Sequence, residues 1–176
     1  MACVGPREFA GSRRPVVVGV DGSQGSARAL AWALHEALDR QAPLRVVTAW
    51  SWDAKASCSD SLARRARQTQ EALVRAVLAQ FPGALPELTM DLVQADPASA
   101  LIERSADGDL LVLGSHGLGA TADEVLGSVA DACLRHGNCP VVVVPDDPAL
   151  DLPEPLRSPG RRGGLAPTAL AALGLL

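Results

Sequence analysis

Five short apolar runs alternate along the chain with segments in which apolar residues recur every three or four positions. Each run is rich in aliphatic residues and is bounded by glycine, proline or polar residues, which is typical of buried strands. The intervening segments have the periodicity of amphipathic helices. Regular alternation of strand and helix predicts a single doubly wound α/β domain, Rossmann-like, with a five-stranded parallel sheet flanked by helices. The predicted strands cover residues 16–20, 44–50, 88–94, 109–113 and 141–144.

The composition agrees with strands that are covered on both faces. Hydrophobic residues make up 48% of the 176-residue chain, but aromatic residues only 3%, so the core must consist of aliphatic side chains. The predicted domain covers residues 15–145. Residues 1–14 lack periodicity and are predicted to form a disordered arm, and the Pro/Gly/Ala-rich residues 146–176 a flexible tail.

Charge and cysteine usage narrow the classes of function. The net charge of −4 gives no reason to expect a nucleic acid or an anionic membrane as partner. No apolar run approaches the roughly 20 residues of a membrane span, and the N-terminal residues lack the apolar core of a signal peptide. The four cysteines form no C-x-x-C pair, so free thiols in a cytoplasmic protein are predicted, with a Cys133–Cys139 disulfide as the less favoured alternative.

A glycine-rich segment separates the fourth strand from the last helix. It contains Gly114-Ser115-His116-Gly117-Leu118-Gly119, followed later by Gly127-Ser128. Glycines let backbone N–H groups approach phosphate oxygens, and a helix N-terminus adds partial positive charge. Lys55 is the only lysine and does not follow a glycine, which excludes a Walker-type loop and leaves backbone N–H groups as the main phosphate donors. Taken alone, the first two glycines also fit a plain tight turn, and Ser128 also fits a helix N-cap.

Two further segments fall where a ligand is expected. Parallel sheets bind ligands beyond the carboxyl ends of their strands, at the point where strand order reverses. Asp21-Gly22-Ser23 follows the first strand, and Ala49 lies at the end of the second. The Asp21 carboxylate can accept hydrogen bonds from ribose hydroxyls, although a simple turn-forming role is the alternative.

The glycine spacing resembles a known family motif. Gly114, two residues, Gly117, nine residues, Gly127 and Ser128 reproduce G-x2-G-x9-G-(S/T), the motif of the ATP-binding subgroup of the universal stress protein family. The resemblance covers about residues 14–145. The segments that carry it are Val18–Ser23, Asp109–Gly117, Leu126–Val129 and Cys139–Val144.

The resemblance implies an ATP-binding regulatory protein of the stress response, which changes its partner or oligomeric state with nucleotide. Asp21 would contact the ribose, the backbone around Ala49 the adenine, and the motif residues the phosphates, with any Mg²⁺ carried by the phosphates. The family implies no catalytic residue, at most slow ATP hydrolysis, an unknown protein partner, and a homodimer joined through Val141–Val144. The predicted binding residues are Asp21, Gly22, Ser23, Ala49, Gly114, Ser115, His116, Gly117, Gly127, Ser128 and Val129.

Departures from the family pattern keep a second function open. Ala95 stands where the family usually has glycine, and Asp123 and Glu124 place negative charge near the expected phosphates. A family member that no longer binds nucleotide and acts through protein contacts therefore remains the alternative. A nucleotidyl-transfer enzyme of related fold is less favoured, because residues 21–26 match neither H-x-G-H nor S-G-G-x-D-S.

Overall fold

The computed structural model describes residues 13–51, 59–118 and 126–145. Most of the predicted N-terminal arm and the whole predicted tail lie outside these ranges, as do Asp123 and Glu124. Within them, no helix combines the length and the apolar character that a bilayer span needs.

Strands and helices alternate along the chain, which confirms the predicted α/β class. The fourth strand begins and ends one residue later than predicted, and the third helix ends at Arg104 rather than near Ala106. The elements are β1 (Val16–Gly19), α1 (Gln24–Arg40), β2 (Leu44–Trp50), α2 (Ser59–Leu78), β3 (Leu88–Gln94), α3 (Pro97–Arg104), β4 (Leu110–Gly114), α4 (Ser128–His136) and β5 (Val141–Val144).

The five strands form one parallel sheet in the order β3-β2-β1-β4-β5. The chain first winds outward from β1 to β3, then crosses back to β4 and continues to β5. Strand order therefore reverses between β1 and β4, and the carboxyl ends of these two strands, Gly19 and Gly114, border the expected ligand position. Strands β3 and β5 are the two edges of this sheet.

Both faces of the sheet are covered by apolar packing. Val16 and Val18 belong to the cluster that contains Leu30 and Leu34 of α1. Val17 faces the opposite cluster, which contains Cys133 of α4. All three β1 valines are fully buried, as successive side chains of a doubly covered strand must be.

Side-chain caps fix the starts of two helices at the carboxyl edge of the sheet. The Ser26 N–H donates to Oγ of Ser23, the N-cap of α1, at 3.1 Å. The Ser99 N–H donates to the carboxylate of Asp96, the N-cap of α3, at 3.0 Å, and Pro97 occupies the first turn. Both caps agree with the preference for such residues at helix starts, and they bring α1 and α3 to the same edge.

A buried arginine fixes the other end of α3. The Arg45 side chain, only 2% exposed, donates to both carboxylate oxygens of Asp107 at 2.6 and 3.1 Å and to the Arg104 carbonyl at 2.8 Å. The hydrogen bond from Arg45 outweighs burial and lowers the pKa of Asp107. The pair therefore ties the C-terminal end of α3 to β2.

Two glycines allow the backbone of α1 to contact the backbone at the end of β4. A Cβ added to Gly114 would lie 2.7 Å from the carbonyl carbon of Gly25, and one added to Gly25 would lie 2.7 Å from the His116 carbonyl oxygen. Because the opposing atoms belong to backbone, no side-chain rotation relieves either clash. Gly114 is thus required by packing.

Replacing Gly114 by alanine is expected to destabilise the fold by about 1–3 kcal/mol, the usual cost of overpacking. Urea unfolding followed by circular dichroism measures the change. Gly83→Ala is the matched control, because a Cβ there meets no atom within 4 Å. Equal stability of Gly114→Ala and the wild type would contradict the packing explanation.

Candidate functional site

A cleft of about 410 Å³ opens at the carboxyl edge of the sheet, at the reversal of strand order. Its walls come from the ends of β1, β2 and β4, the loop after β4, and the first turns of α3 and α4. The lining residues are Gly19, Val20, Asp21, Ser26, Val47, Ala49, Pro97, Leu101, Leu113, Gly114, Ser115, His116, Gly117, Leu118, Gly127, Ser128, Val129 and Ala130.

The structure brings most of the predicted binding residues to this cleft. Those that line it are Asp21, Ala49, Gly114, Ser115, His116, Gly117, Gly127, Ser128 and Val129. Gly22 and Ser23 are the two that do not line it. Gly22 has a φ of +93°, which favours glycine, and Ser23 caps α1, so both shape the turn after β1.

The first turn of α4 supplies hydrogen-bond donors to the cleft. Gly127 is the N-cap, so the alternative that Ser128 caps the helix is wrong. The Asp131 N–H is the first to bond within the helix, to the Gly127 carbonyl at 3.0 Å. The N–H groups of residues 128–130 therefore have no acceptor in the helix, and they lie at its positive end.

The loop after β4 is held by its own backbone. Ser115 is 6% exposed, and its N–H donates to the Val144 carbonyl at 2.9 Å. Its carbonyl accepts the Gly127 N–H at 2.7 Å, and its hydroxyl lies 3.0 Å from Nδ1 of His116. The Gly127 N–H is thus occupied by Ser115, and the donors that α4 offers the cleft come from the residues after Gly127. These bonds hold the loop after β4 against β5 on one side and against the start of α4 on the other.

Asp21 joins the end of β1 to this loop. One carboxylate oxygen accepts the Ser23 N–H and the other accepts the Leu118 N–H, both at 2.9 Å. Burial alone would raise the pKa of Asp21, but hydrogen bonds from Ser23, Leu118 and Ser26 outweigh it and lower the pKa. The carboxylate is therefore ionised at neutral pH and contributes a negative charge to the cleft wall.

The loop runs close to this carboxylate. A Cβ added to Gly117 would lie 2.7 Å from Oδ2 of Asp21. The atom in its way is the end of a side chain, which can rotate, unlike the backbone atoms that face Gly114. The two glycines of the motif therefore differ: a Cβ on Gly114 would press against backbone atoms, whereas a Cβ on Gly117 would press against the Asp21 carboxylate.

The far wall of the cleft is apolar, and its residues were not among the predicted binding residues. Pro97 and Leu101 lie one turn apart on α3, and Leu101 packs with Val47 and Leu113 of the sheet. In the sequence these residues look like ordinary core positions. The only sequence feature that indicates a place in the cleft is their position at strand ends and at a helix start. That feature identifies cleft residues only once the strand order is known.

Among the described residues that line the cleft, none is lysine or arginine. Donors for an anion come from backbone N–H groups and from the Ser128 hydroxyl, and Asp21 contributes a negative charge. The class of protein is thus a doubly wound α/β domain with a glycine-lined cleft at its topological switch point.

The sequence model of the universal stress protein family matches residues 12–145. The chain belongs to this family. It is 34% identical over 153 residues to universal stress protein Rv2005c of Mycobacterium tuberculosis, a match that covers 82% of the chain and 52% of that protein. It is 31% identical over 144 residues to Rv2624c of the same organism, covering 79% and 52%. The chain thus spans about half the length of these relatives.

Solved structures of the family share the fold. Universal stress protein UspA from Lactobacillus plantarum superposes with a TM-score of 0.57 at 21% identity, over 76% of this chain and 99% of that one. A universal stress protein in complex with cAMP superposes with a TM-score of 0.53 at 29% identity, over 78% of this chain and 100% of that one.

Proposed function

We propose that the cleft binds an adenine nucleotide, with ATP and its accompanying Mg²⁺ as the expected form, and that binding regulates the protein's contacts in a stress response. The observation that carries this proposal is the meeting of the α4 N-terminal donors and the Asp21 carboxylate across one glycine-lined cleft. The relative in complex with cAMP supports it. No catalytic residue is assigned, and ATP hydrolysis would be slow at most.

Phosphates would lie at the start of α4. The open N–H groups of residues 128–130 point along the helix axis, and the Ser128 hydroxyl is exposed beside them. The backbone between Ser115 and Gly117 closes the opposite side. Because this pocket has no cationic side chain among its described residues, Mg²⁺ bound to the phosphates would supply the missing positive charge.

The ribose and base would lie over the ends of β1 and β2. Asp21 can accept a hydrogen bond from a ribose hydroxyl, as its carboxylate lines the cleft. The Val47 carbonyl accepts the Val20 N–H at 2.9 Å, so the Val47 peptide faces β1. Ala49, two residues further on, faces the same side, where β1 has already ended. Its N–H and C=O can therefore bind the adenine edge.

One observation favours the alternative in which the protein acts through protein contacts without nucleotide. Both Asp21 oxygens already accept hydrogen bonds from the chain, so a ribose must share or displace the bond from Leu118. Leu118 itself is 75% exposed at the rim of the cleft and would be available to a protein partner.

A homodimer joined through β5 is the proposed assembly. Strand β5 lies at a sheet edge, where one side of its backbone pairs with no other described strand, and Val141–Val143 are only half-buried. The Ser115–Val144 hydrogen bond connects this edge directly to the cleft loop. Cys133 and Cys139 are free thiols, which supports the cytoplasm as the proposed compartment.

Gly117→Val is expected to weaken binding of ATP with Mg²⁺ at least tenfold (about 1.4 kcal/mol). The branched side chain would fill the space beside Asp21 that the ligand requires, while the fold is kept because only a side-chain end must move. Isothermal titration calorimetry measures the affinity, and Gly83→Val, on an open surface, is the control. Wild-type affinity in Gly117→Val would remove the assignment of this loop.

Light scattering at micromolar concentration is expected to give twice the 18.2 kDa mass of one chain. Val143→Pro removes a backbone donor on the outer side of β5, because Val144 and Val142 face β4, and is expected to give monomers. Met90→Pro makes the same change on the outer side of β3, the opposite edge, and is expected to remain dimeric. A monomeric wild type, or equal effects of both variants, would contradict dimerisation through β5.

A further inference from the structure

We infer that Thr48 is a positioning residue that keeps the Ala49 N–H open toward the cleft and thereby sets the base selectivity of the site. Thr48 is 5% exposed, and its hydroxyl donates to the Val20 carbonyl at 3.0 Å. This inference rests on the proposed nucleotide site, but it assigns a role to a residue that does not line the cleft.

The hydrogen bond of Thr48 replaces the next step of the β1–β2 ladder. In a parallel pair, the N–H and the C=O of one residue bond to two different residues of the neighbouring strand. These two residues flank the residue that lies directly opposite. The Val20 N–H donates to the Val47 carbonyl at 2.9 Å, so one more step would bring the Ala49 N–H to the Val20 carbonyl. In the described structure that carbonyl accepts the Thr48 hydroxyl instead.

The two faces of β2 separate the Thr48 side chain from a ligand. Val47 and Ala49 line the cleft on the α3 side of the sheet. Thr48 alternates to the other side, with Val46, whose side chain packs in the cluster of α1 and α2. The hydroxyl can therefore affect a bound base only through the backbone of Val20 and Ala49.

The chemistry of the exposed peptide defines which bases fit. Ala49 offers an N–H donor and a C=O acceptor on the same side of the strand. Adenine presents the complementary pair, the N1 acceptor and the N6 amino donor. Hypoxanthine presents the reverse, an N1–H donor and an O6 acceptor. An Ala49 N–H that is open to the cleft thus favours AMP over IMP. An Ala49 N–H that is hydrogen-bonded to the Val20 carbonyl would not.

Removing the Thr48 hydroxyl would leave the Val20 carbonyl without this donor. A buried carbonyl without a partner is costly, and the Ala49 N–H is the donor that the ladder geometry places next to it. In Thr48→Val, which keeps the side-chain shape, that N–H would turn to Val20 and be lost to the base. Thr48→Ser keeps the hydroxyl and should keep the wild-type arrangement.

The test compares AMP, IMP and ribose 5-phosphate by calorimetry and competition in the wild type, Thr48→Val and Thr48→Ser. Thr48→Val is expected to lower the AMP-to-IMP affinity ratio about tenfold, with ribose 5-phosphate binding unchanged. Thr48→Ser is expected to match the wild type. An unchanged ratio in Thr48→Val, or equal losses for all three ligands, would overturn the inference.

Amide hydrogen exchange by NMR tests the same inference without nucleotide. The Ala49 N–H should exchange rapidly in the wild type, unlike that of Val47, and should become protected in Thr48→Val. A protected Ala49 N–H in the wild type would overturn the role of Thr48, even if Thr48→Val failed to fold. A wild type that binds no nucleotide but shows this exchange pattern would instead refute the proposed function and leave the role of Thr48 in the backbone intact.

Discussion

The contact between the backbones of α1 and the end of β4 is the constraint on which the site depends. It needs glycine at position 25 of the helix and at position 114 of the strand, because a Cβ on either would press against backbone atoms. This close approach sets the start of α1 against the loop after β4. Asp21, in the turn just before α1, is then near enough to accept the Leu118 N–H. Packing between two elements thus places the carboxylate against the loop, in the wall of one cleft.

The hydrogen-bond donors that the cleft offers are mainly backbone N–H groups. The first turn of α4 presents N–H groups that have no acceptor among the described residues, and the neighbouring loop is held by hydrogen bonds of Ser115 to Val144 and Gly127. Fixed backbone donors recognise the position of an anion closely, but they supply less charge than lysine or arginine. The ionised Asp21 adds a negative charge in the same space. The proposed ligand, with a polar sugar and a metal-neutralised phosphate chain, would match this arrangement.

The fold class and part of the candidate site could be predicted from the sequence. Alternating periodicities sufficed for the parallel α/β class, because alternating strands and helices with right-handed crossovers leave few topologies. The strand order β3-β2-β1-β4-β5 came only from the structure. The glycine-rich segment was located because its strand and helix neighbours have clear local patterns. The residues that sequence reasoning missed act over long range: Thr48 of β2 bonds to Val20 at the end of the neighbouring β1, and Arg45 reaches Asp107 beyond α3. Such pairs leave no trace in local periodicity.

The roles of individual motif residues were also hidden in the sequence. A glycine that faces backbone and one that faces a carboxylate look identical there, although Gly114 and Gly117 differ in this way. Likewise, Gly127 and Ser128 both fit a helix start, and only the backbone angles of Gly127 identify it as the N-cap. These distinctions depend on which atoms face each residue, which is decided by the assembled sheet and helices.

The central claim is that an adenine nucleotide binds between Ala49 and the start of α4. The most direct measurement is the change in backbone amide NMR shifts as ATP and Mg²⁺ are added to the full chain. The largest changes are expected at Ala49, Gly117 and residues 128–130, with Gly83 at the protein surface unaffected. Saturating shifts confined to another surface, or none at all, would contradict the account.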